Sequence, residues 1–151
     1  MNYDEIESQV INTFAKTDNV TLAYIDTDGR AAAAMMCIIN DGLTAYMQTD
    51  KKFDKAAAIK KNPNVAMSIG AYSFKGRAEI MPGKCSDYDW YVDAIKKKIP
   101  LSYEHYTMLP DEVLIKITFD ICKFLKLRGR ECLYRVDLKN KTVTEQEIDK
   151  L

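Results

Sequence analysis

Lysines gather in one short stretch of this sequence. Between Asp50 and Lys61 the chain carries Lys51, Lys52, Lys55, Lys60 and Lys61 against Asp50 and Asp54. They fall at the end of an alternating, strand-like run, LTAYMQT, and over the first turn of a helix-like one. Free backbone amides and the helix dipole already favour an anion at such a junction. Thr49 adds a hydroxyl at the same place. Residue type and spacing together suit a phosphate site built from Thr49, the helix amides and one or more of Lys51, Lys52 and Lys55, with the ammonium groups making charge-assisted hydrogen bonds. A solvated lysine face is the simpler account of the charge spacing alone, so the surroundings decide between the two.

Other chemistry-bearing residues are sparse. His105, the one histidine, lies in PLSYEHYTMLP, a loop or short helix. A lone histidine there is more often a surface or packing residue than a general acid. Asp87 with Asp89, and Asp111 with Glu112, stand at helix or strand starts, where capping and solvation account for them. Trp90, Tyr91 and Tyr103 lie on or near a helical stripe and read as core before they read as a substrate pocket. Cys37, Cys85, Cys122 and Cys132 form no CxxC pair and have no paired histidines, which argues for reduced thiols in a reducing cytoplasm and against a zinc site. No catalytic residue and no metal ligand is assigned. A second basic cluster, KFLKLRGRECLYR, sets Lys123, Lys126, Arg128, Arg130 and Arg135 against Glu131, with Phe124 and Tyr134 interleaved. It is the best nucleic-acid candidate, but no helix-turn-helix or RNA-binding signature accompanies it, and an exposed basic hairpin bent at Gly129 is the simpler account.

The whole-chain balance narrows the partners further. Of 151 residues, 22 are basic and 22 acidic, so no overall field draws the chain onto nucleic acid or an anionic membrane. The start, MNYDEIES, is acidic where a secretory signal is basic. The longest uncharged stretch, Asn62 to Phe74, contains Pro63 and falls short of the roughly 18 apolar residues of a membrane span. The expectation is a cytoplasmic protein of one domain over residues 1–151, with a small-molecule partner and neither nucleic acid nor membrane.

The elements that must position the lysines follow from periodicity. Asn2 and Glu5 have capping-box spacing, and Ile6, Val10 and Phe14 recur along one helical face. VTLAYID reads as a strand, and Asp28-Gly29 suits a hairpin turn. RAAAAMMCII has helix propensity, yet it is bounded by Asp28-Gly29 and Asp41-Gly42 and followed by LTAYMQT, so three consecutive antiparallel strands joined by two DG turns are expected. Lys52 to Lys61 is a short helix stopped by Asn62-Pro63. VAMSI and KGRAEIM form a second hairpin through Ala71 to Phe74. A helix capped by Ser86 follows, burying Tyr88, Tyr91, Val92, Ile95 and Ile99 before Pro100. From Glu112 to Cys122, Val113, Ile115, Ile117, Phe119 and Ile121 face one way and Leu114, Lys116, Thr118 and Asp120 the other. Leu133 to Leu138 is a further strand, with Asn140-Lys141 turning into a short polar tail. Six or more antiparallel strands with covering helices make a small barrel, mainly β in class.

The run VTLAYIDTDGRAAAAMMCIINDGLTAYMQTDKKFDKAAAIKKNPNVAMSI, followed by KGRAEI, resembles the pyridoxamine 5'-phosphate oxidase-like family, its general stress protein branch included, over roughly residues 5–100. The matching features are the two DG turns, the strand ending in Thr49, Lys55 six residues later, Asn62-Pro63 with Val65, and the Gly76-Ala78-Glu79 strand. The resemblance implies a six-stranded antiparallel split β-barrel with flanking helices that binds FMN at a homodimer interface. It places Lys55 on the family's phosphate-binding lysine, Thr49 beside the flavin, and Met35 and Met36 where strand backbone meets the ring. With Gln48, Lys51 and Lys52 these make up the candidate cofactor set. The chain departs from the family pattern at Ala34, often a phosphate-binding arginine, at Phe53, frequently a serine, and at Asp54, basic in the true oxidases. Lys51 and Lys52 are left to compensate as point charges without bidentate geometry. The implied function is a flavin-dependent oxidoreductase of a small molecule, but not of pyridoxamine phosphate itself. The alternative is a non-enzymatic binding or stress-protection module on the same barrel, holding a flavin, haem, a deazaflavin or an anionic metabolite.

Overall fold

The computed structural model describes residues 1–83, 85–127 and 131–148, and the capping box expected at Asn2 opens it. The Asn2 side-chain oxygen accepts from the Glu5 amide at 2.9 Å, and the Glu5 carboxylate accepts from the Asn2 amide at 3.1 Å, starting α1 (Tyr3–Lys16). Ile6, Val10 and Phe14 on its inner face are fully buried. Phe14 meets the rings of Phe74 and Phe119 at 5.1 and 5.7 Å in the middle of the core.

β1 (Asn19–Ile25) and β2 (Ala31–Cys37) form the first hairpin, paired from Asn19 with Cys37 to Ile25 with Ala31. The Asp26 carboxylate accepts from the amides of Asp28 and Arg30 at 3.0 and 2.9 Å, and Gly29 takes a φ of +80°, open to glycine at no steric cost. Pairing along the whole of β2 overrides the helix propensity of its four alanines.

The second DG turn corrects the expectation of three consecutive paired strands. The alanine strand stops at Ile38, whose amide donates to the Asp18 carbonyl at 3.0 Å. Asp41-Gly42 instead joins a separate short strand, β3 (Ile39–Asp41), to β4 (Thr44–Asp50). Next come α2 (Asp54–Lys61), β5 (Asn64–Ile69), β6 (Tyr72–Met81), α3 (Ser86–Lys98), α4 (Pro100–Tyr106), β7 (Glu112–Leu127), β8 (Glu131–Asp137) and β9 (Thr142–Ile148). Among the described residues nine strands make one sheet in the order β2-β1-β5-β6-β7-β4-β3, with β8 on β7 and β9 on β8. β2 and β3 end that path on opposite sides yet are joined by Ile38 alone, so the sheet must curl until its two ends meet.

Three further details differ from expectation. The β5–β6 turn is confined to Gly70 and Ala71, and Phe74 belongs to the buried face of β6. On β7 the inward alternation holds to Phe119 and then shifts, because Gly76 pairs with Phe119 while Lys75 pairs with Ile121. Asp120 is the extra residue of this bulge, so Cys122 and Phe124 take the core face in place of Ile121. A side chain at Gly76 would put its Cβ 2.3 Å from the Thr118 carbonyl oxygen, which leaves only glycine able to pass. Finally, the N-cap of α3 is Cys85, without a side-chain hydrogen bond, and Ser86 is already helical.

α3 covers the outer face of the sheet, where Tyr91 and Ile95 pack on Ile39, Tyr46 and Leu114. At its C-terminus, half-buried Lys98 donates to the carbonyl oxygens of Phe14, Thr17 and Ile38 at 2.9, 2.6 and 2.9 Å. One ammonium thereby satisfies the end of α1 and the β2–β3 joint together. What reads as a polar tail is β9, turned against β8 where the Asp137 carboxylate accepts from the Lys139 and Asn140 amides at 3.0 and 2.9 Å. In the second basic cluster Arg128, Gly129 and Arg130 lie outside the described residues. Phe124 and Tyr134 stack inward at 4.9 Å and are buried, so these aromatics serve the core and are not offered to bases. None of the four cysteines is in a disulfide, and among the described residues no helix is long and apolar enough to cross a membrane.

Candidate functional site

A cavity of about 350 Å³ lies between the end of β2, the end of β4, the start of α2, and α4 with the loop after it. Its wall brings together Met35, Met36, Gln48, Thr49 and Lys55, five of the seven residues singled out from sequence. Phe53, Tyr106 and Leu109 add apolar surface, and these side chains and Met35 are solvent-exposed around it. Another hollow of about 570 Å³, between Lys60, Arg77 and Lys116, contains none of the seven.

Lys55 sits in the first turn of α2 with its ammonium half-buried. Its one hydrogen bond runs to the Met36 sulfur at 3.3 Å, and among the described residues it has no carboxylate partner. A thioether is a weak acceptor. Burial therefore lowers the Lys55 pKa, with nothing opposing it. Thr49 is buried beside it in the cavity wall.

Lys51 and Lys52 do not line the cavity. Both reach Asp111, at 3.4 and 2.6 Å, with their own side chains 59% and 72% exposed. A hydrogen bond from Lys52 does most to hold the Asp111 carboxyl below the usual range. At the positions where the chain departs from the family pattern, Ala34 is a half-buried β2 residue, Phe53 is exposed at the cavity, and Asp54 accepts from the Thr27 hydroxyl at 2.9 Å.

Gln48 is fixed by its neighbours. Its side-chain oxygen accepts from the hydroxyls of Tyr91 and Thr107 at 3.1 and 3.0 Å, leaving its NH2 group as the available donor. Tyr91, read as core, is core and also a positioning residue. His105 and Trp90 do not line the cavity, although Tyr106, next to His105, does.

Glu112, expected as a solvated strand start, does open β7 but is not solvated. It is 9% exposed and lines the cavity. Its Oε2 accepts from the Tyr88 hydroxyl at 2.8 Å and the Met108 amide at 2.6 Å, while Oε1 is buried with no hydrogen-bond partner among the described residues. Burial pushes the carboxyl up, and burial together with Glu112 pushes the Tyr88 phenol to about 12. A signal was present: Glu112 shares strand parity with Leu114, which α3 buries on the outer face. Asp111, one residue earlier, takes the ion-paired role with Lys51 and Lys52. Among the described residues no three His, Cys, Asp or Glu side chains gather as metal ligands.

Comparison with known proteins gives concordant results. The family model described as pyridoxamine 5'-phosphate oxidase matches residues 7–126. General stress protein 26 of Bacillus subtilis (strain 168) is 33% identical over 70 residues, 46% of this chain and 49% of that protein, so the match spans about half the length of the curated relative. Among solved structures, a pyridoxamine 5'-phosphate oxidase-related, FMN-binding protein from Nostoc punctiforme PCC 73102 superposes with a TM-score of 0.61 at 14% identity, over 99% of this chain and 98% of that one. The haem storage protein HutZ from Vibrio cholerae superposes with a TM-score of 0.63 at 11% identity, over 79% of this chain and 91% of the other. At such identities the likeness shows a shared fold, the split barrel with flanking helices.

Proposed function

The chain belongs to the pyridoxamine 5'-phosphate oxidase family, and from that premise we propose that it is a single FMN-binding domain whose cavity holds the cofactor, with the phosphate at Lys55. The observation that carries this is the half-buried Lys55 ammonium, which among the described residues has only a sulfur for a partner. A partly desolvated cation without a counter-charge is costly, and a phosphate offsets that cost. The Thr49 hydroxyl and the first-turn amides of α2 are the further donors for it. Gln48, its oxygen held by Tyr91 and Thr107, turns its NH2 to a polar edge of the ligand. Met35, Met36, Phe53, Tyr106 and Leu109 supply the apolar surface for a flat ring and exclude water from it. Bound FMN supplies electron transfer, making the protein a flavin-dependent oxidoreductase of an unidentified small molecule.

The same surface supports a homodimer with the cofactor at the interface. Met35 on the edge strand β2 is 75% exposed, Phe53 just before α2 62% and Tyr106 at the end of α4 63%, and among the described residues no strand pairs with the outer edge of β2. Exposed apolar patches of this kind mark association surfaces. Pyridoxamine phosphate is not the substrate in this reading, because Ala34 and Asp54 offer no cation for a second phosphate contact.

Adding FMN to the purified protein should quench flavin fluorescence and raise the melting temperature. No quenching and no thermal shift would sink the proposal. A second reading keeps the barrel without the chemistry, as a module that stores or senses a cofactor. One structural neighbour is a haem storage protein by name, and the phosphate-side charge here is down to a single lysine. FMN that binds but is reduced by neither NADH nor NADPH, or a Soret band on adding haem in place of FMN, would favour that reading.

A further inference from the structure

Of the two carboxyls in the cavity wall, Asp50 and Glu112, Glu112 is the buried one, and the FMN reading leaves it unused. It lines the same cavity as Lys55, and its two oxygens are unequally served: Oε2 accepts two hydrogen bonds and the buried Oε1 accepts none among the described residues. Tyr88 and Tyr91 face it from α3, Asp50 stands opposite it on β4, and Cys37, Tyr106 and Lys55 border the cavity from β2, α4 and α2. Lys55 is thus the one cation in that wall among the described residues. Asp50 adds like charge, and Asp111 already engages Lys51 and Lys52.

A ligand entering this cavity acts on Glu112 in two ways that add. It displaces water, and the lower dielectric disfavours the charged carboxylate. Its anionic group also brings negative charge into the cavity. Both effects favour the neutral acid, and the oxygen left to carry the proton is Oε1. We propose that FMN binds together with one proton, taken from solvent onto Glu112 Oε1, so that Glu112 couples ligand affinity to pH. This rests on the FMN reading above. Burial, which already raises the carboxyl's pKa in the free protein, acts in the same direction.

Proton linkage sets the size of the effect. Between the titration points of Glu112 in the free and bound protein, FMN affinity falls by up to about tenfold per pH unit as pH rises. Isothermal titration of FMN into the full chain, in buffers of different ionisation enthalpy from pH 5 to 9, counts the protons. Wild type minus Glu112→Gln cancels the titration of the FMN phosphate, and the difference should peak at up to one proton taken up per FMN. Tyr88→Phe removes a donor that favours the carboxylate, so it should move the peak to higher pH. Equal counts for wild type and Glu112→Gln at every pH overturn the inference while FMN binding stands. Should Glu112→Gln fail to fold, an unmoved peak in Tyr88→Phe overturns it instead. A wild type that gives neither heat nor quenching with FMN removes the FMN reading, and this inference with it.

Discussion

Lys55 and Lys98 are both half-buried, and burial depresses the pKa of each. Lys98 places its three protons on three carbonyl oxygens, two at the end of α1 and one at the β2–β3 joint. Lys55 has one contact, to a thioether, and faces a cavity. Half-burial of a charge is therefore not what distinguishes a binding residue. The complete partner set of Lys98 holds the fold together, and the incomplete one of Lys55 leaves room for a ligand.

The same substitution at both positions tests this contrast. Lys98→Met keeps the aliphatic stem but strands three carbonyls, and should cost about 2–4 kcal/mol in denaturant unfolding while FMN affinity stays within about twofold. Lys55→Met should do the reverse, weakening FMN roughly ten- to hundredfold, as expected for loss of a hydrogen bond to a charged group, with stability unchanged or slightly raised. A destabilised Lys55→Met that binds FMN normally would invert the comparison.

The pH dependence sharpens it further. The Lys55 contribution to FMN affinity is full while the free protein's ammonium is charged, and should begin to fall as pH rises above the free protein's lowered pKa. For folding the sign is opposite: the unfolded lysine binds its proton more tightly, so this residue makes stability rise with pH across that interval. Lys55→Met should flatten both profiles. The smallest effects belong to the exposed lysines. Lys52→Ala, which breaks a solvent-exposed pair with Asp111, and Lys60→Ala should each leave FMN affinity within about threefold and barely move the denaturation midpoint. A large loss in Lys52→Ala would return it to the phosphate site.

What was legible in the sequence was whatever depended on neighbours a few residues away. The capping box at Asn2, the Asp28-Gly29 hairpin and the inward face of β7 as far as Phe119 are local patterns, and the structure contains each of them. Features set by distant partners were not. The break at Ile38 follows from the pairing of β3 with β4, and the parity shift at Asp120 follows from the backbone of β6 at Gly76 passing close to Thr118. Ser86 lost its expected capping role because the helix begins one residue earlier than its hydroxyl requires. Lys55 and Thr49, which stand out in the sequence by their place at a strand–helix junction, both line the cavity. Glu112 was missed because a carboxylate beside an aspartate looks solvated, and only the covering α3 shows that it is not.

The central place of β7 also has a consequence for synthesis. β4 lies between β3 and β7, so its long edge has no partner until residues near 112–117 have been made. The hairpins β1–β2 and β5–β6 join neighbouring segments and can form as they emerge. At roughly 5–20 residues per second, the wait from the end of β4 to the end of β7 is on the order of 4 to 15 seconds. Through that interval the half-made chain has two open strand edges awaiting the same partner, that of β4 and that of β6.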